Sequence, residues 1–265
     1  MPPAAGTRPI CRRLSSGDAA AVLVTDFQAL NGDRRLSELL ADAADGERFY
    51  QVDPRGAVAG DRLYADLPAL ADEAVAVFRA QEPTAGVDRR VFVVSHCSAA
   101  GLSLRIAGQL AGDREVTAIL VEPTWPGPDD VIGRFAEFQG KLGAARPCPG
   151  LDGDPWSCVA GMQRLMREDL TAMAQRVGLD TVPPAFTELL MAYRTWLAYL
   201  LACGNDLPAK PPSEAVEITV LAREPGFVVP GTTPGRSRVV EPPPGEPDAV
   251  TPDLVRLLLE QIRNR

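Results

Sequence analysis

Three runs of this chain are apolar almost without interruption, and they constrain its fold more than any other feature. Residues 19–25 (AAAVLVT), 90–94 (RVFVV) and 116–121 (VTAILV) lack the polar and apolar alternation of a strand with one face in water. A strand of this kind is buried on both faces, as in a parallel sheet covered by helices. Between the runs lie segments with helical spacing: residues 35–44, residues 63–81 with Leu67, Leu70, Ala74, Val75 and Phe78 in step, and residues 98–110. Residues 48–52 read as a further strand, followed by a turn at Asp53-Pro54-Arg55-Gly56. Strand and helix thus alternate, which predicts an α/β protein with a mostly parallel sheet and helices on both faces.

The alternation then stops. Residues 129–206 hold three helix-like segments (about 129–144, 156–177 and 184–203) and no convincing strand, the pattern of an inserted helical cap. After a linker at 207–212, strands are expected at 216–221 and 237–240. A closing helix follows at 251–262, with Thr251 as its N-cap and Pro252 in its first turn. The expected organisation is a loose N-terminal arm (1–18), a core formed by 19–128 and 207–265, and a cap over 129–206. At 265 residues, 46% hydrophobic and 23% charged, one core plus an insertion accounts for the length.

Charge and composition exclude several classes of function. A formal net charge of -8 with no basic run argues against nucleic-acid binding, which draws its affinity from clustered Lys and Arg. No segment has the length of apolar sequence needed to span a bilayer, and the N-terminus lacks a signal-peptide core, so a cytoplasmic protein is expected. The five cysteines (Cys11, Cys97, Cys148, Cys158, Cys203) are scattered without a C-x-x-C pair, so neither a metal site nor a disulfide framework is expected. No cofactor motif is present either.

The sequence Ser95-His96-Cys97-Ser98-Ala99 lies between an apolar strand and an Ala- and Leu-rich helix. This is the small-x-nucleophile-x-small pattern of a nucleophile elbow. The tight strand-to-helix turn forces its central residue into strained dihedrals, and small neighbours let the flanking chain pass. Cys97 occupies the centre. The following helix would aim backbone N–H groups at it, an arrangement that favours a thiolate and can hold an oxyanion. The packed alternative is a small buried cysteine at a strand end.

With these residues in hand a resemblance can be stated. FYQVDPRG (49–56), the helix at 63–81, the elbow VVSHCSAAG and the strand ILVEP resemble the type II thioesterases of polyketide and nonribosomal peptide assembly lines, which have the α/β-hydrolase fold. Those proteins carry Ser at the elbow. Cysteine there is similar to the Dieckmann cyclases and aminoacyl shuttles of such pathways. The resemblance implies an offloading enzyme whose Cys97 takes an acyl group from a phosphopantetheine thioester on an acyl or peptidyl carrier protein. The product would then leave by cyclisation or transfer, and no cofactor is implied.

The resemblance fails at the base. His96 is the only histidine, and it lies inside the elbow; the loop where the family carries its catalytic histidine holds Glu246 within PPPGEPD. Three accounts stay open: a thiolate that needs no base, a carboxylate base, or a triad-degenerate relative that binds without turnover. Glu122, at the end of ILVEP, is the first carboxylate expected near Cys97, within about one water of its sulfur. Glu224 is an alternative acid, and His96 is expected to point away. The oxyanion hole would use the N–H of Ser98 and one from the loop after the first strand, near Asp26 or Phe27. Trp125 is placed to touch substrate. Trp156, Trp196, Phe135, Phe138, Met162, Met166 and Leu190 read as packing of the inserted helices or as an acyl-chain lining, and Asp129-Asp130 as a helix N-terminal charge pair rather than a metal site.

Overall fold

The structure, a computed structural model, describes residues 9–26, 35–53, 66–82, 88–206, 212–245 and 250–265. Among these residues seven strands form one sheet: β1 (Cys11–Arg13), β2 (Ala21–Thr25), β3 (Arg48–Val52), β4 (Arg90–His96), β5 (Glu115–Val121), β6 (Val216–Leu221) and β7 (Arg238–Val240). Their order is β1-β3-β2-β4-β5-β6-β7, and every pairing is parallel except that of β1 with β3. The helices are α1 (Leu36–Asp42), α2 (Leu67–Gln81), α3 (Ala100–Leu110), α4 (Pro128–Lys141), α5 (Pro155–Arg176), α6 (Pro184–Asn205) and α7 (Pro252–Arg263).

The uninterrupted apolar runs become the central strands for the reason that exposed them in the sequence. Along β4, Val91 and Val93 join a core that includes α2, α3 and the helices α4, α5 and α6, whereas Phe92 and Val94 face α1 and α7. The sheet is therefore buried on both sides. Residues 9–18 correct one expectation. Read as part of a loose arm, they carry β1, where Ile10 and Cys11 are buried and three residues pair with β3. A three-residue strand has too little sequence to show a period, and its conformation comes from its partner.

Helices α4, α5 and α6 run consecutively between β5 and β6 without an intervening strand. Phe135, Phe138, Met162, Met166 and Leu190 are buried among them, Trp196 packs against the same cluster, and Trp156 is 47% exposed. Thr251 caps α7 by accepting the Leu254 N–H at 3.2 Å. At the amino ends of the strands, opposite the elbow, the buried Arg48 guanidinium meets both carboxylate oxygens of Glu82 at 3.0 and 3.1 Å, and the Tyr50 hydroxyl donates to the same carboxylate at 2.7 Å. No helix among the described residues is long and apolar enough to cross a membrane.

Candidate active site

In an open parallel sheet, sites form at the carboxyl ends of the strands. There β4 hands over to a single 3-10 turn (Cys97–Ala99) and then to α3. Cys97 has φ +55°, a left-handed conformation that a non-glycine residue adopts only when its surroundings hold it there. The holding contacts are visible: its carbonyl accepts the Ala100 N–H and, at 3.2 Å, the Thr124 N–H. Ser95 and Ala99 are buried on either side. The strained turn lifts the thiol out of the sheet, and Cys97 is partly exposed whereas Cys11, Cys158 and Cys203 are buried.

The Thr124 hydroxyl lies 3.5 Å from the Cys97 sulfur. Next to it Trp125 stacks on Phe227 with centroids 6.0 Å apart. From the inserted helices, the Tyr199 hydroxyl of α6 donates to the Ser98 carbonyl at 3.1 Å, which ties α6 directly to the turn. Burial holds the Tyr199 phenol and the Cys203 thiol in their neutral forms, with the thiol pushed up to about 12. Thr124 and Tyr199 were not singled out in the sequence: Tyr199 reaches the elbow from far along the chain, and Thr124, between Glu122 and Trp125, has nothing in its local pattern to mark the contact.

Glu122 also has a left-handed backbone, φ +42°, while its N–H continues the sheet by donating to the Leu221 carbonyl at 2.8 Å. Its carboxylate lies 3.0 Å from the Arg223 guanidinium, an ion pair without hydrogen-bond alignment, because this buried oxygen makes no hydrogen bond among the described residues. Cys97 and Glu122 thus have different described partners, Thr124 and Arg223. Glu224 is exposed. Ser98 is buried at the turn, whereas Phe27 and Glu246 lie outside the described residues.

His96 stands in register step with the other even-numbered residues of β4, on the sheet face of α1 and α7. On the same face the Asp26 carboxyl is pushed up by burial, an effect only partly offset by its hydrogen bonds from Ser37. Asp26 accepts hydrogen bonds from the Ser37 N–H at 3.1 Å and the Ser37 hydroxyl at 2.9 Å. Asp129 and Asp130 occupy the first turn of α4, where Asp130 accepts the Gly127 N–H at 2.8 Å. No cluster of potential metal ligands occurs among the described residues.

No protein-family model matches the chain, and no curated protein matches its sequence. Solved structures do match. The NocB thioesterase domain from the nocardicin cluster superposes with a TM-score of 0.54 at 16% identity, covering 95% of this chain and 97% of that one. The Vlm2 thioesterase domain with a genetically encoded diaminopropionic acid bound with a dodecadepsipeptide gives 0.55 at 15% identity, with coverage of 95% and 97%. Wild-type Vlm2 thioesterase domain gives 0.50 at 17% identity, covering 96% and 98%. With the sheet order and the elbow, these likenesses establish the α/β-hydrolase fold, with thioesterase domains among its structural neighbours.

Proposed function

We propose that this protein is a thioesterase-type offloading enzyme that accepts an acyl group from a carrier-protein phosphopantetheine thioester onto Cys97. The observation that carries the reading is the left-handed Cys97 between β4 and α3, with its thiol partly exposed beside Thr124. The Cys97 thiolate attacks the thioester carbonyl, and the Ser98 N–H, with a second donor in the loop of Phe27, holds the resulting oxyanion. The pantetheine thiolate then leaves. Cyclisation by a carbon nucleophile within the acyl chain, or transfer to a second thiol or amine, breaks the acyl–sulfur bond and returns the proton to the cysteine. Release by these routes is favoured over hydrolysis, because activating water demands a stronger base than the site offers without a second histidine. Glu122 and Glu246 are the carboxylates assigned to proton transfer. Helices α4 to α6 act as the cap.

A second reading is a binding or scaffolding relative that has lost turnover. Two observations favour it: the single histidine lies on the sheet face of Asp26, and Glu122 is ion-paired with Arg223. The two readings separate in the producing cell. Cys97→Ala abolishes product release if the cysteine is the nucleophile and leaves product titre unchanged if the chain is a scaffold.

A further inference from the structure

Thr124 joins the two left-handed backbones of this site. β5 ends at Val121, and Glu122 follows with φ +42° while its N–H still donates to the Leu221 carbonyl. The chain leaves the strand at that residue, and the buried Pro123, whose ring fixes φ, carries it in the new direction. One residue later Thr124 meets the elbow twice. Its N–H donates to the Cys97 carbonyl at 3.2 Å, and its hydroxyl lies 3.5 Å from the Cys97 sulfur. The strained backbone of Glu122 thus delivers a partner to the strained backbone of Cys97.

The hydroxyl and the sulfur are committed to each other. Among the described residues the Thr124 hydroxyl makes no second hydrogen bond, and the sulfur has no other side-chain hydrogen-bond partner. While the thiol keeps its proton, either atom can donate. A thiolate has no proton, so only the hydroxyl can donate to it. Hydrogen bonds to an ionised group are roughly twice as strong as those between neutral groups, and the contact therefore favours the thiolate over the thiol. The chain's one histidine, His96, stands on the sheet face of α1 and α7, which makes a neutral donor beside the sulfur the more consequential.

We infer that Thr124 is a catalytic residue: its hydroxyl donates to the Cys97 thiolate, holding the anion as attacking group during loading and as leaving group during release. The assignment rests on the reading that Cys97 carries an acyl group, whereas the hydrogen bond to the free thiolate does not. In loading the sulfur–carbon bond forms and the pantetheine thiolate departs. In release the acyl–sulfur bond breaks and its electron pair stays on sulfur. The hydroxyl donates in both steps and keeps its own proton. Two effects of such a donor oppose each other: it raises the thiolate fraction and lowers the nucleophilicity of each thiolate. With a Brønsted slope of about 0.4–0.5, the gain in thiolate fraction is the larger near neutral pH.

The test measures the thiolate directly, in the full-length native chain and in Thr124→Val, Thr124→Ala and Thr124→Ser. Thr124 is exposed, so none of these substitutions empties a packed volume, and all keep the N–H that holds the Cys97 carbonyl. Ultraviolet thiolate absorbance at about pH 8 is read for each protein against the same protein carrying Cys97→Ala. Iodoacetamide then alkylates Cys97 at about pH 7, forming a sulfur–carbon bond as iodide leaves, and the rate is followed on the Cys97 peptide. The ionisable groups of the surrounding elements are the same in every variant: His96 on β4, Arg105 on α3, Glu122 after β5, and Tyr199 and Cys203 on α6. In Thr124→Val and Thr124→Ala the thiolate-to-thiol ratio is expected to fall about 5- to 10-fold. Alkylation slows about 2- to 4-fold, less than the ratio falls because each remaining thiolate is more reactive. Thr124→Ser keeps a hydroxyl and recovers most of both losses. Native values in Thr124→Val and Thr124→Ala, or equal losses in Thr124→Ser, would overturn the inference. Intact mass after mixing with an acyl-pantetheine thioester separates the two claims. A thiolate response in a chain that takes no acyl group sinks the offloading reading and leaves the hydrogen bond standing, and an acyl adduct without that response sinks the Thr124 assignment alone.

Discussion

Cys97 and Glu122 are the non-glycine residues with left-handed backbone among the described residues, and both lie at carboxyl ends of central strands. Strain of order 1–3 kcal/mol per such residue is retained where the surroundings over-determine it, as functional sites do. For Glu122 the consequence is measurable. If its carboxylate moves the proton during release, Glu122→Gln lowers the acyl-transfer rate by on the order of 100-fold without loss of Cys97 loading. Single-turnover kinetics would show this, and an undiminished rate would leave the cysteine working alone. The turn at Cys97 was legible in the sequence because an elbow is local: strand, small residue, Cys97, small residue and helix occupy one stretch. Its neighbour Tyr199 was not, because chain separation hides it until α6 returns to the turn, and Thr124, between the expected Glu122 and Trp125, carried no local signal of its own.

At the scale of elements, the connection between the inserted helices and the turn is a specific one. Tyr199 on α6 is fully buried, stacks with Trp196 at 5.8 Å, and spends its hydroxyl on the Ser98 carbonyl. Removing that hydroxyl takes away its hydrogen bonds with the Ser98 carbonyl and the Cys203 thiol. Tyr199→Phe is expected to lower unfolding free energy by about 1–2 kcal/mol in urea titration, and to slow Cys97 acylation because Ser98 is no longer held. A stability loss with an unchanged acylation rate would make Tyr199 a packing residue only. The helices themselves could be read from the chain, since α2 and α4 to α6 are long enough to show their period. The strand β1 could not: three residues become a strand only because β3 offers an edge.

For the molecule as a whole, one sheet buried on both faces sets the response to pH. Burial pushes the Cys11 thiol up to about 12, with the Glu82 carboxylate adding to the effect, and burial pushes Cys203 to a similar value. The unfolded chain releases these protons near the ordinary thiol value while the folded chain keeps them. Each thiol therefore contributes stability that is complete below about pH 8 and is lost as pH rises from about 9 toward 12. At pH 10 the loss is on the order of 1 kcal/mol per thiol. Comparing denaturation midpoints at pH 8 and pH 10 should show a drop that is smaller in Cys11→Ala than in the native chain. The global α/β plan was legible because buried strands and amphipathic helices carry it in every segment. The carboxylate proposed for proton transfer was not, because a side chain's reach toward the elbow leaves no local pattern in the sequence.

The central claim is that Cys97 forms a thioester with a carrier-derived acyl group, and intact-mass spectrometry tests it most directly. The full-length chain is mixed with an acyl-pantetheine thioester, quenched in acid, and compared with Cys97→Ala under the same conditions. The account predicts one acyl group added to the native chain, mapped to the peptide containing Cys97, and none on Cys97→Ala. An unmodified native chain, or equal modification of both proteins, would contradict it.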